Sequence, residues 1–105
     1  MNKYLEYLKM LRDDLEQNLD KYLDAIKCVA QRYGGKAYIF GSYIKGVYIV
    51  ASDIDILVEM PENIDRLQVL HEIRRLAPNT KIEIHVLNKS KAGEFKKIIK
   101  VFKEL

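Results

Sequence analysis

Apolar residues recur at Leu5, Leu8, Leu11, Leu15, Leu19, Tyr22, Ile26, Val29 and Tyr33, in steps of three and four. That is the spacing of one face of an α-helix. Neither Gly nor Pro interrupts it before Gly34-Gly35, so the pattern predicts a helix over residues 2–33. At about 1.5 Å per residue such a helix is roughly 45 Å long, against about 30 Å for a body of this size. Either part of it overhangs the body or it breaks near Asn18. An overhanging apolar stripe needs a partner.

After the glycines the period changes. Lys36-Ala37-Tyr38-Ile39-Phe40 reads as a short, mostly buried strand running into Gly41-Ser42. From Asp53 to Val58 the residues alternate, with Asp53, Asp55 and Leu57 on one face and Ile54, Ile56 and Val58 on the other. Pro61-Glu62-Asn63 opens a helix with apolar positions at Ile64, Leu67, Leu70, Ile73 and Leu76, closed by Pro78-Asn79. Lys81 to Leu87 alternates again, placing Lys81, Glu83 and His85 on one face. A last helix, over 90–104, is expected to turn Phe95, Ile98, Ile99, Phe102 and Leu105 inward. The order is helix, strand, turn with a short helix, strand, helix, strand, helix. It predicts an α/β fold, a small sheet with helices on its apolar face and with Asp53, Asp55, Glu83 and His85 on the other.

Composition adds limits. A chain of 105 residues holds one core. No apolar run approaches the ~20 residues of a membrane span, and Met1 to Glu6 does not read as a secretory signal. Cys28 is the only cysteine, so no internal disulfide forms and a reducing cytoplasm is the expected compartment. The net charge of +3 is modest. Much of it lies between Lys89 and Leu105, where six lysines face two glutamates. A solvated lysine face on an amphipathic helix accounts for that, and no aromatic-basic motif argues for direct nucleic-acid binding.

The chemistry concentrates in two short stretches. Asp53 and Asp55, at i and i+2 on a strand, point the same way. Two carboxylates that close repel unless a cation lies between them. Oxygen donors of this kind suit magnesium, which combines one or two carboxylates with substrate phosphates. Glu83 joins them if its strand is the neighbour, and three carboxylates can hold two metal ions. Upstream, Gly41-Ser42-Tyr43-Ile44-Lys45-Gly46 is a glycine-bounded hydroxyl turn after a strand. Gly41 allows close backbone approach to a phosphate, and Ser42 offers its hydroxyl and N–H at a helix start. Lys45 can reach a phosphate, although an exposed lysine is usually only solvated. His85 shares a face with Glu83 and could touch a metal or phosphate, although a structural or solvent-facing role suits it better. A turn and a carboxylate pair in this order are what a protein needs to grip a nucleoside triphosphate.

Phe40-Gly41-Ser42 through Gly46, followed by Ser52-Asp53-Ile54-Asp55-Ile56-Leu57-Val58, resembles the G-S-x-x-x-G…S-D-x-D signature of the DNA polymerase beta superfamily of nucleotidyltransferases. The small size is similar to its minimal nucleotidyltransferase (MNT) branch. The likeness covers residues 36–88 as a catalytic core within a single domain over 1–105. It implies a mixed sheet flanked by helices, and transfer of a nucleoside monophosphate, usually AMP from ATP, to a hydroxyl. It places Asp53 and Asp55 at metal-bridging positions and Glu83 at the third, catalytic carboxylate. Gly41 and Ser42 match its triphosphate-holding positions, and Lys45 and Ser52 are further candidate nucleotide-binding residues. Glu83 departs from the commoner Asp, and Val47 to Ala51 is apolar where relatives are often polar. That segment is either packed on the body or a sticky strip.

The resemblance also implies a partner. Larger relatives carry a second domain for the acceptor, so a chain of this size is expected to receive its acceptor from another protein. Relatives of this size are commonly paired with a helical HEPN protein, a toxin whose tyrosine the nucleotidyltransferase adenylylates as antitoxin. A homo-oligomer through the long first helix is a further expectation. The competing reading is a non-catalytic nucleotide-binding module that neutralises its partner by contact alone.

Overall fold

The computed structural model describes residues 2–46 and 53–105. Helix α1 runs unbroken from Lys3 to Arg32. Asn2 caps its start by accepting a hydrogen bond from the Tyr4 N–H at 2.8 Å. Of the two outcomes open for this helix, the structure has the overhang. The molecule measures 48 × 27 × 20 Å, and the buried positions of α1 begin only at Leu15. Asn18 does not break it, because its amide bonds within the helix to the carbonyl and carboxylate of Asp14. Tyr4, Leu5, Tyr7 and Met10 are left exposed on the protruding end.

Strand β1 (Lys36–Phe40) and β2 (Ile54–Met60) pair antiparallel. Helix α2 (Arg66–Leu76) follows, capped by Asp65, whose side chain accepts from the Leu67 N–H. The helix thus starts five residues beyond Pro61, where the Asp65 side chain caps it. Its buried residues are Val69 and Ile73, while Leu67 and Leu76 lie exposed. Strand β3 (Ile82–Asn88) returns parallel to β2, and α3 (Lys89–Ile99) crosses behind it.

The chain end departs from the expected helix over 90–104. Lys100 takes a left-handed φ of 64° and stops α3. Phe102–Glu104 then forms a short strand, β4, antiparallel to β1. In a strand Phe102 and Leu105 can serve opposite faces, which a continuing helix would not allow. Phe102 meets Tyr38 edge-on at 5.5 Å on one face. Leu105 packs against the main core on the other. Ile98, expected to point inward, is 76% exposed.

The sheet order is β3-β2-β1-β4. Both of its faces are covered. On one, α1 and α2 bury Ile39, Ile54, Ile56, Val58 and Ile82 with Ile26, Val29 and Ile73. On the other, α3 packs Ala92, Phe95 and Ile99 over Tyr38, Phe40 and Leu57. The face expected to carry the acidic residues, with the helices on the other, therefore has a second, smaller core along part of its length. Lys96 anchors this helix, with its ammonium 2.9 Å from Glu59 and 4.1 Å above the Tyr38 ring. The rest of that face, toward the start of β2 and β3, stays open, and the acidic residues lie there. No described helix is long and apolar enough to cross a membrane.

Candidate functional site

Parallel register sets the site. Asp55 lies opposite Glu83, and Leu57 opposite His85. Residues that pair directly share a face, so Asp55, Glu83 and His85 emerge together on the side that α3 leaves open. A carboxylate oxygen from each acid and a ring nitrogen of His85 all lie within 4.8 Å of one another. His85 Nε2 is 3.5 Å from Glu83 Oε1. The imidazole packs beside two rings of the smaller core, Phe40 at 5.7 Å and Phe95 at 5.4 Å, which also touch each other at 5.4 Å. Packing by α3 therefore orients a residue of the acidic cluster.

Burial, followed by the charge of Glu83 and a hydrogen bond with it, pushes the Asp55 carboxyl above the usual carboxylate range; the charge of His85 partly offsets this. Asp55 is half-buried whereas Glu83 is exposed. Two acids side by side, one of them partly desolvated, favour either a shared proton or a bound cation. Carboxylate oxygens suit Mg²⁺ or Mn²⁺, and an imidazole nitrogen suits softer first-row ions. The donor set therefore fits a divalent cation.

Gly41 closes the site from β1. Its φ is +81°, and a Cβ built on it would collide with the Asp55 carboxylate. The backbone of the turn consequently lies directly against that carboxylate, with room there for no side chain. Residues 42–46 form a hydrogen-bonded turn, in which the Lys45 N–H donates to the Gly41 carbonyl at 3.2 Å, in place of the short helix expected. Ser42 is half-buried beside Gly41, and Lys45 is exposed. Ser52 and the apolar 47–51 segment lie outside the described residues.

Asp53 stands apart from the close cluster. It immediately precedes β2, and its Oδ1 lies 3.9 Å from Lys81 Nζ. The Lys81 side chain is only 10% exposed, so its ammonium needs this counter-charge. A polar network fixes the backbone that carries it. The Lys81 N–H donates to Asn79 Oδ1, while Asn79 Nδ2 donates to the Leu11 carbonyl and to Asp14. Tyr22 also donates to Asp14. The pairing of Lys81 with Asp53 and the place of His85 in the cluster are not evident from the sequence. The only available signal was alternation, which placed both on the face of Glu83; their neighbours depend on strand order and on α3.

Comparison with known proteins follows the same lines. A protein from Sulfolobus solfataricus, provisionally described as a nucleotidyltransferase and solved at 1.40 Å, superposes with a TM-score of 0.52. The superposition covers 99% of this chain and 86% of that one, at 19% identity, which is a likeness of fold. Poly(A) polymerase PAPalpha of Candida albicans is 53% identical over 38 residues, or 36% of this chain. The chain spans 7% of that polymerase's length. Residues 19–105 match the family described as nucleotidyltransferase domain, and the chain, with its acidic strand pair beside a glycine turn, belongs to that family.

Proposed function

We propose that this protein transfers a nucleoside monophosphate, AMP from ATP, to a hydroxyl carried by a partner protein. The observation that carries this reading is the register that sets Asp55 beside Glu83 against the backbone of Gly41. A triphosphate held by the Gly41-Ser42 turn, with Lys45 and Ser52 as further contacts, would meet the two carboxylates on one side. Asp55 and Glu83 would hold a divalent cation, magnesium in the first instance, with His85 at its edge and Asp53 joining as it parts from Lys81. Such a cation, when bound, supplies charge neutralisation for the triphosphate and the departing pyrophosphate.

The chain's own residues account for the remaining chemistry. Glu83 is exposed and can take the acceptor's proton. The acceptor oxygen forms a bond to the α-phosphorus as the bond from that phosphorus to the α–β bridging oxygen breaks. Pyrophosphate leaves with the bonding pair. Gly41 keeps the turn close enough for its N–H groups to meet the phosphates. In the finer reading the acceptor is a tyrosine of a HEPN-like helical toxin, this protein acts as its antitoxin in the cytoplasm, and the exposed end of α1 also allows self-association.

The test is transfer of label from [α-³²P]ATP to the protein encoded beside this one, with and without magnesium, alongside calorimetry of ATP binding. Magnesium-dependent labelling that Asp55→Asn abolishes is the expected result. ATP binding that ignores both the metal and Asp55→Asn would exclude the transfer reading. Neutralisation of the partner without labelling would leave contact alone as the mechanism.

A further inference from the structure

A groove of about 640 Å³ runs along the protruding end of α1 and opens beside the acidic site. Tyr4, Tyr7, Leu8 and Leu11 form one wall, Lys81 stands on the other, and Asp53 marks the end nearest the cluster. The wall residues precede residue 19, where the family match begins. Tyr4 and Tyr7 are 65% and 47% exposed, a large apolar area for a monomer to leave in water.

Charge defines what the groove accepts. Lys9, Arg12 and Lys81 line it, against Asp53 alone. Arg12 Nε is buried and has no hydrogen-bond partner, and among the described residues it is the only buried side-chain polar atom so placed. Its guanidinium makes one loose ion pair, to Asp13 at 3.5 Å. The Arg12 side chain is 34% exposed, so a carboxylate on an incoming chain can pair with the accessible part of its guanidinium. Leucines and exposed tyrosines alternating with cations suit a segment that brings both apolar and acidic side chains. Leu5, Leu8 and Leu11 line the groove beside the two tyrosines, and leucines, unlike aromatic rings, offer bases no stacking surface, so a peptide segment fits better than nucleic acid.

We infer that this groove docks an acidic, apolar segment of the acceptor protein and delivers its hydroxyl past Asp53 to the Asp55–Glu83 pair. The inference rests on the transfer reading above for its chemistry, in which the acceptor oxygen bonds to the α-phosphorus, pyrophosphate leaves and Glu83 takes the proton. It adds the place and the charge preference of the acceptor.

Two measurements separate the docking from the transfer. Fluorescently labelled random copolymers serve as probes: poly(Glu,Tyr), poly(Lys,Tyr) and single-stranded oligo(A). Anisotropy with the full chain carrying Asp55→Asn reads docking independently of catalysis, and labelling from [α-³²P]ATP by wild type reads transfer. Poly(Glu,Tyr) is expected to bind at least tenfold more tightly than either other probe. The exposed-surface variant Tyr4→Ala/Tyr7→Ala and the charge reversal Lys9→Glu/Arg12→Glu should each weaken that binding at least tenfold, with ATP binding unchanged. Because Tyr4, Tyr7 and Lys9 are exposed, the tyrosine pair and Lys9→Glu alone retain a folded test if Arg12→Glu does not fold. Equal binding of the two copolymers, tighter binding of oligo(A), or indifference to the tyrosine pair would overturn the docking. Binding of poly(Glu,Tyr) that persists without any labelling by wild type would support the docking and count against transfer.

Discussion

At the scale of single residues, the acidic cluster sets function against stability. Asp55 is partly desolvated beside another carboxylate, an arrangement that works against folding when no cation is bound. Asp55→Asn should therefore raise the melting temperature of the metal-free protein at neutral pH while abolishing transfer, as calorimetry and the labelling assay would read. A lower melting temperature would mean that the carboxylate pair is not under strain. Glu83 is exposed, and its neutralisation removes a proton acceptor more than a phosphate contact. Glu83→Gln should lower transfer by about 10²–10⁴-fold with ATP binding largely retained. Unchanged transfer would move the base to His85. At Gly41 any side chain meets both an unfavourable φ and the Asp55 carboxylate. Gly41→Ala should destabilise the fold by at least about 1–2 kcal/mol in urea titrations.

Among the elements, α1 is joined to the β3 entry by a polar connection as well as by its apolar face. Asp14 accepts from Tyr22, Asn79 and Asn18, and the bonds from Asn79 and Tyr22 hold its carboxyl below the usual range despite burial. Asn79 in turn fixes Lys81, and Lys81 faces Asp53. Removing the carboxylate strands at least two donors, so Asp14→Ala should cost about 1–3 kcal/mol at neutral pH. A carboxylate with a lowered folded pKa contributes stability above its unfolded pKa and loses it as pH falls through the folded value. The stability gap between wild type and Asp14→Ala should accordingly shrink in acid, as urea titrations over that range would measure. A gap independent of pH would show that packing around residue 14, and not its charge, was lost.

Over the whole molecule, stability along α1 should be uneven. From Leu15 to Ala30 the helix packs on the sheet and on α2, whereas its first turns hold exposed Tyr4, Leu5 and Tyr7. Local opening follows the density of buried apolar contact. Hydrogen exchange should show amides before residue 12 exchanging fast and those of Ile26 and Val29 exchanging only on global unfolding. Adding the partner should slow the first group selectively. Uniform protection along α1 in the isolated chain would mean that its first turns are already covered in solution, as self-association would produce.

Periodicity by itself determined the long helix, three of the strands and the common direction of Asp53 with Asp55 and of Glu83 with His85, because these depend on the repeat of side chains along a local backbone. The glycine-bounded turn was equally legible, since a left-handed φ at Gly41 favours one residue type. The tertiary structure decided what depends on neighbours distant in sequence. Parallel pairing of β2 with β3 brought Asp55 to Glu83 and His85, while Asp53 was left with Lys81. Packing of α3 on the second face fixed His85 against Phe95. The chain end became β4 because an open edge at β1 and two separate cores could be served by one alternating segment. A helical apolar repeat and a strand that feeds two faces can be written with the same few residues, and only the partners available in the fold distinguish them.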